Sequence, residues 1–235
     1  MIAITGHNGF IGTNLKRVLK ERGIPFFGVG RNMLPPQAET LIHLAAYGNH
    51  SHQKNVLTTV KVNIEYLSRI LDNFQGKVIN ISTSSVHLPI QTAYSLTKRV
   101  GEKLVKEAGG VNVRPYSVFG IGEASHRFIP TVIRCLQTGE RLQLATEPRH
   151  DWIYVDSFID LMLKEVEECG SGESFSNLEI VKMLEEISGK VIKFDKVENL
   201  RPYDTKDWKC PKINKLLVSL YDGLKLTYER TNPRN

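Results

Sequence analysis

The chain has 235 residues, 41% of them hydrophobic and 24% charged, and a net charge of +6 at neutral pH. Those values describe an ordinary globular protein of one large domain or two small ones, with apolar material enough for a substantial core. No apolar run approaches the roughly 20 residues a membrane helix needs, and the basic residues are scattered without a nucleic-acid motif, so no membrane and no nucleic-acid partner is expected.

Ile2, Ala3 and Ile4 form a short apolar run, read as a first strand. Thr5-Gly6-His7-Asn8-Gly9-Phe10-Ile11-Gly12 follows, and then residues 13–21, where Leu15, Val18 and Leu19 recur at helical spacing. Strand, glycine turn and helix together make a phosphate site. Gly6 permits the tight turn, Gly9 admits a pyrophosphate close to the backbone, and Gly12 lets helix and strand pack closely. The helix N-terminus contributes unpaired N–H donors and partial positive charge.

Residues 24–30 read as a second strand, with Arg31 near the place where an acidic residue would hold the ribose hydroxyls of NAD. A guanidinium suits a 2′-phosphate instead, so NADP is favoured over NAD; a surface arginine lying on the adenine would suit either. Residues 40–46 form a buried strand whose end, Leu44, Ala45 and Ala46, leaves room for a cofactor. Residues 56–74 read as one long helix with Val56, Val60, Ile64, Leu67 and Leu71 on its apolar stripe. The next strand, 77–81, ends in Ser82-Thr83-Ser84-Ser85, and a helix over 93–108 stops at Gly109 and Gly110 before a strand at 111–114.

This alternation predicts an α/β, Rossmann-type doubly wound parallel sheet. Beyond Tyr116 the pattern loosens into helices at 128–138, 158–169 and 178–188 and short strands at 141–145, 152–155 and 191–194. The tail from Arg201 is expected to be mostly loop, with one helix around 213–217. The plan is a cofactor domain over 1–115, with crossing segments near 151–169, and a smaller, interleaved C-terminal cap over 116–150 and 170–235. Three widely spaced cysteines form neither a disulfide framework nor a metal site. With no targeting signal ahead of the first strand, they fit a cytoplasmic location.

Tyr94 and Lys98 stand at i and i+4 on one helix and share a face. A phenol with an ordinary pKa near 10 is a poor acid–base at neutral pH, and a neighbouring ammonium makes its phenolate usable. Thr83, at the preceding strand end, offers a hydroxyl to the same substrate oxygen. A Tyr-x-x-x-Lys pair alone is commonplace; after a dinucleotide loop and a Ser/Thr-rich strand end it reads as a redox site.

In these motifs the chain resembles the extended short-chain dehydrogenase/reductase superfamily, in its nucleotide-sugar epimerase/dehydratase branch. TGHNGFIG is similar to that family's cofactor loop, HLAA to its fourth strand, ISTSSV to its catalytic strand and YSLTK to its Tyr/Lys pair. RPYSVFGIG and RHDWIYVDS resemble its cap-crossing motifs, and the segment through RPYD to DGLKLTYE its C-terminal part. The resemblance implies a catalytic Thr83, an acid–base Tyr94 and a Lys98 that both lowers the tyrosine pKa and holds the cofactor ribose. It places Gly6, Asn8, Gly9, Phe10, Ile11 and Gly12 along the cofactor and gives Arg201 the substrate diphosphate.

The departures from the pattern bear on the substrate. Only ten residues separate Thr83 from Tyr94, and the segment after the second strand is short enough to omit a strand. Ser84 and Ser85 stand where 4,6-dehydratases carry Asp-Glu, which argues against dehydration; Ser85 also replaces the cysteine base of GDP-fucose synthases. His126 resembles the histidine acid of those enzymes or is a surface loop residue, and Ser117 replaces a common asparagine. His150 takes the place of a diphosphate arginine for which Arg149 is the neighbouring substitute. Three functions follow: a nucleotide-sugar epimerase working by hydride transfer at a ring carbon, an NADPH-dependent ketosugar reductase of the GDP-fucose-synthase type, or a non-catalytic dinucleotide-binding regulator. The family resemblance also implies a homodimer through the helices at 56–74 and 93–108.

Overall fold

In the computed structural model the described residues are 1–50, 52–199 and 207–231. The chain divides into two compact units, the first made of Met1–Pro115 with Leu161–Glu168, the second of Tyr116–Asp160 and the chain from Cys169 onward.

The first unit is built on a sheet whose apolar strands are buried as a layer. β1 (Ile2–Thr5) pairs in parallel with β2 (Phe26–Val29) on one side and β3 (Thr40–His43) on the other. β4 (Lys77–Ile81) and β5 (Val111–Pro115) extend it, and β10 (Glu168–Cys169) completes the order β10-β5-β4-β3-β1-β2. Among the described residues nothing lies outside β2, so the short segment after it has dropped a strand. The helices are α1 (Phe10–Glu21), α2 (Val56–Val60), α3 (Tyr66–Asn73) and α4 (Ala93–Glu107). Tyr66, Ile70 and Phe74 pack with Ala3, Val29, Leu41 and Val78 into one apolar cluster.

Two expectations change here. The strand over 40–46 stops at His43, because Leu44 N–H bonds to Thr5 O and Ala45 N–H to Thr5 Oγ1, which turns the chain off the ladder. The helix over 56–74 contains a π-helical turn at Lys61–Glu65. Its buried side is Thr59, Asn63, Tyr66, Leu67 and Ile70, whereas Val56 and Val60 of the expected stripe are 59% and 38% exposed.

In the second unit β6 (Ser117–Phe119) runs parallel to β9 (Trp152–Tyr154), β7 (Leu142–Leu144) parallel to β12 (Phe194–Lys196), and β8 (Arg149–His150) antiparallel to β11 (Phe175–Ser176). The long helices here are α5 (Phe128–Thr138), α7 (Asn177–Ser188) and α8 (Leu220–Thr231). α7 starts at a reciprocal cap between Ser176 and Glu179, and both α5 and α7 end at glycines in the left-handed region, Gly139 and Gly189.

Three further expectations are corrected. The helix placed at 158–169 is α6 (Val155–Leu163); it follows β9 directly and ends before Glu165, whose φ of +58° no helix continues. The strand placed at 191–194 is β12, and the helix placed near 213–217 is absent there. The C-terminal helix is α8, hidden in the sequence by Gly223 and a mixed polar pattern. Gly223 is there for packing: a Cβ would stand 2.8 Å from Tyr154 Cβ and 3.0 Å from Phe119 Cζ.

Cys135, Cys169 and Cys210 are buried free thiols. Among the described residues no helix is long and apolar enough to cross a membrane, and no cluster of three or more His, Cys, Asp or Glu could hold a metal ion.

Candidate active site

The turn from β1 into α1 shows why its glycines cannot carry side chains. Gly6 has a φ of +66°, and a Cβ on it would lie 2.7 Å from Ala45 N. A Cβ on Gly12 would lie 2.5 Å from Gly6 O. The strand end, the turn and the Leu44–Ala45 backbone are therefore in direct contact. Gly9 caps α1 without a side-chain bond, and no acidic residue occupies the first turn. Asn8 and Gly9 are exposed, Phe10 and Ile11 half-buried, and Ala46 is exposed beyond β3. His7 Nδ1 is buried with no partner, its ring filling the space where Gly28 lacks a Cβ. An open helix N-terminus, a backbone cradle and an orphaned imidazole nitrogen fit a dinucleotide phosphate.

Arg31 is exposed, two residues beyond β2, and Lys16 Nζ donates to Asn8 Oδ1 at 3.2 Å. From Arg22 to Ala38 the chain carries no carboxylate. The register Thr5↔Val29 brings the Gly6–Asn8 turn and the Gly30–Arg31 turn to the same edge of adjacent strands.

Tyr94 and Lys98 owe their positions to a helix start. Thr92 Oγ1 accepts from Ser95 N–H at 3.2 Å while Ser95 Oγ accepts from Thr92 N–H at 2.9 Å, so α4 begins immediately before the tyrosine. Tyr94 is half-buried, and Lys98 is 3% exposed. Burial pushes the Lys98 ammonium down to about 8, against a raising influence from Glu102 one turn further on. Thr83 is the N-cap of a 3-10 turn over Ser84–His87; its hydroxyl donates to Ser85 Oγ at 3.1 Å and accepts from Ser85 N–H at 3.2 Å. Ser84 is buried at 5% exposure and Ser85 half-buried.

Sequence reasoning missed two residues here. Asn63, on the π turn and 2% exposed, accepts from Tyr47 N–H and donates to both Tyr47 O and Thr97 Oγ1. It thereby ties the chain after β3 to α4, and π turns inside helices often carry such work. His43 is buried beside Thr5, with Nδ1 2.9 Å from Thr5 Oγ1. Burial, then the Lys98 charge, pushes it down to about 3, so it is neutral at physiological pH. A lone polar residue amid a helical stripe and a lone histidine in an apolar strand were the available signals.

The remaining candidates lie in the second unit. Ser117 is half-buried on β6, its N–H bonded to Asp151 O, and His126 is exposed ahead of α5. Arg149 is engaged within this unit: Nη1 meets Glu179 Oε2 at 2.9 Å and Nη2 donates to Ser174 O at 2.6 Å. His150 packs against Trp152 and Trp208. Arg201 lies outside the described residues.

Glu123, in the loop between β6 and α5, was not anticipated. Its side chain is 6% exposed, Oε1 lies 3.4 Å from Arg127 Nε, and Oε2 is buried without a partner. Burial pushes its carboxyl up to about 7, with Arg127 opposing. A folded-state pKa above the unfolded one contributes stability fully present below about 4.5 and lost as pH rises through about 7. Glu123→Gln is therefore expected to match the parent near pH 5 and to exceed it by about 1–3 kcal/mol at pH 8. Thermal melts across that range check this; parallel pH dependences in parent and variant would contradict it.

Comparison with known proteins places these features in company. The model of the NAD dependent epimerase/dehydratase family matches residues 2–180. Among curated proteins, CDP-abequose synthase of Salmonella typhimurium is 23% identical over 224 residues, covering 76% of this chain and 74% of that one. Among solved structures, MoeE5 in complex with UDP-glucuronic acid and NAD superposes with a TM-score of 0.83 at 19% identity, over 97% of both chains. RMD from Pseudomonas aeruginosa complexed with NADPH gives 0.81 at 16% identity, again over 97% of both chains. At these identities the structural likeness shows the fold.

Proposed function

The chain belongs to the NAD-dependent epimerase/dehydratase family, and on that premise we propose that it is an NAD(P)-dependent enzyme that moves a hydride at a ring carbon of a nucleotide-sugar, with Tyr94 as the acid–base. The observation that carries this reading is Tyr94 and a buried, cationic Lys98 on one face of α4, whose start Thr92 and Ser95 fix. The dinucleotide, when bound, supplies the hydride acceptor or donor.

Tyr94 as phenolate takes the hydroxyl proton of a ring carbinol as its C–H electron pair leaves as hydride and the C=O bond forms; returning hydride to the other face of the carbon inverts it. Lys98 favours the phenolate through its charge and holds the cofactor ribose. Thr83 donates to the substrate oxygen, which requires its hydroxyl to turn from Ser85. Ser84, Ser85, Ser117 and His126 are assigned to the substrate, with Arg201 on the diphosphate. Arg149 reaches the substrate only by leaving Glu179 and Ser174. Screening UDP-, GDP-, dTDP- and CDP-sugars for binding and for change in nicotinamide absorbance tests the reading. Saturable binding and absorbance change with one class support it, and their absence with every class rejects it.

A second reading, net reduction of a ketosugar by NADPH, is favoured by one feature. The turn after β2 offers Arg31 and no carboxylate, and Lys16 stands behind Asn8. A 2′-phosphate there meets cations where NAD would need an acid for its ribose. Fluorescence titration is expected to give NADPH at least about tenfold tighter than NADH, with Arg31→Ala erasing most of the difference; a clear preference for NADH would overturn it.

We also propose a homodimer through α2–α3 and α4. Val56, Leu57, Val60, Leu96 and Val100 are 59%, 63%, 38%, 51% and 37% exposed on these helices, an apolar face in need of cover. Sedimentation velocity is expected to show a dimer that Leu57→Glu with Leu96→Glu dissociates; a concentration-independent monomer would contradict this.

A further inference from the structure

Lys98 raises an electrostatic problem that its own neighbourhood must solve. A lysine that is 3% exposed keeps its charge only against a desolvation cost. The groups that face it are few. His43 on β3 is neutral, and Tyr94 precedes it by one turn on α4. Glu102 follows by one turn and is the acid whose charge favours the ammonium.

Glu102 is not isolated. Its carboxylate, 11% exposed, grips Arg114 of β5 with both oxygens, Nε to Oε1 at 2.8 Å and Nη2 to Oε2 at 2.8 Å. An arginine so held would cancel the charge that Lys98 needs. Arg114 is shared, however: Nη1 donates to Glu168 Oε1 at 2.9 Å, and Glu168 is 10% exposed. Two shielded carboxylates on one guanidinium leave one net negative charge. Glu167, 3.9 Å from Nη1, is 69% exposed and counts for little. His87 Nε2 meets Glu168 Oε1 at 2.9 Å from a half-exposed position, at the end of the 3-10 turn that Thr83 caps.

We propose that the Glu102–Arg114–Glu168 triad is the counter-charge that keeps Lys98 an ammonium ion, with Glu102 as the positioning residue that acts through Lys98. All three side chains and Lys98 belong to the first unit. The arrangement differs from a structural ion pair in its stoichiometry. A one-to-one pair would satisfy α4 and β5 mechanically and present no charge to Lys98. The second carboxylate restores it, because Arg114 divides its donors between Glu102 and Glu168. The pKa of about 8 makes this matter, since a modest loss of negative charge would leave the amine neutral at physiological pH. A neutral amine gives the Tyr94 phenolate no support.

The functional consequence rests on the acid–base reading of Tyr94, but the test does not. In protein labelled with ¹³C at lysine Cε, the Lys98 resonance is assigned by its loss in Lys98→Arg and titrated in the full chain without substrate. Glu102→Gln is expected to lower the Lys98 pKa by about one unit and Glu168→Gln by about half a unit. Arg114→Met, which leaves two carboxylates, is expected to raise it. Glu102→Gln and Arg114→Met break the same bidentate pair, so a purely structural role would move both alike; opposite signs are the signature of the charge. Shifts of the same sign, or none, overturn the proposal. Should Glu102→Gln or Arg114→Met fail to fold by circular dichroism, Glu168→Gln at the cluster's outer end decides: an unmoved or raised Lys98 overturns the proposal. If the chain proves to turn over a nucleotide-sugar, the alkaline limb of its kcat profile should move to lower pH in Glu102→Gln, with KM little changed. Absence of turnover would leave the titration result standing.

Discussion

Tyr94→Phe is expected to lower turnover by about 100- to 10,000-fold while leaving dinucleotide affinity nearly unchanged. The phenyl ring occupies the same half-buried place on α4, so the helix start at Thr92 and Ser95 and the packing around it are retained. What is removed is one oxygen, the one assigned to take the carbinol proton. His43 cannot stand in for it, because its imidazole, pushed down to about 3, carries no exchangeable charge near neutrality. Thr83 cannot either, since an ordinary hydroxyl bonded to Ser85 is far too weak a base. Lys98→Met should look different: it removes the ammonium that favours the phenolate and also the proposed ribose contact, so turnover and cofactor affinity fall together. Measuring kcat beside the NADPH dissociation constant separates the two variants. Unchanged turnover in Tyr94→Phe would remove Tyr94 from the chemistry, whatever the substrate.

The parts of this molecule that were legible in the sequence are those whose constraint is local. A turn in which Gly12 must lie against Gly6 O writes itself as glycine, and alternating apolar runs write themselves as a parallel sheet. The i and i+4 pairing of Tyr94 with Lys98 needs nothing but a helix. What stayed hidden depends on partners distant in the chain. Periodicity places Val56 and Val60 in a core stripe, but the π turn at Lys61–Glu65 serves Asn63, whose partners are Tyr47 and Thr97. Gly223 reads as a helix breaker until Tyr154 and Phe119 are seen against it. Arg149 reads as a free cation until Glu179 and Ser174 claim it. In each case a tertiary contact overrides a pattern read within one segment.

Asp151 belongs to the same hidden class, and its loss is expected to have the largest effect on stability. It is fully buried in the second unit, just before β9. Oδ1 accepts from Ser171 N–H at 2.7 Å and Ser171 Oγ at 2.8 Å, while Oδ2 accepts from Gly172 N–H at 2.9 Å and Cys210 N–H at 3.0 Å. A Cβ on Gly170 would stand 2.5 Å from Oδ2, so the chain reaches this carboxylate only because a glycine lets it. One side chain thus fastens the turn after β10 and the segment before α8. Asp151→Ala would strand three backbone donors in a place without water, at about 1–3 kcal/mol for each donor left unsatisfied. Allowing for partial relaxation, the total is about 4 kcal/mol. Against a stability of about 5–15 kcal/mol for a typical protein, that brings the second unit close to unfolding. Asp151→Asn keeps Oδ1 as an acceptor but turns an amide N–H₂ toward N–H donors, so an intermediate cost of about 2 kcal/mol is expected. Urea denaturation followed by tryptophan fluorescence reads this unit directly, since both tryptophans, Trp152 and Trp208, lie in it. A loss below about 1 kcal/mol in Asp151→Ala would mean that the two segments are held by something other than this carboxylate.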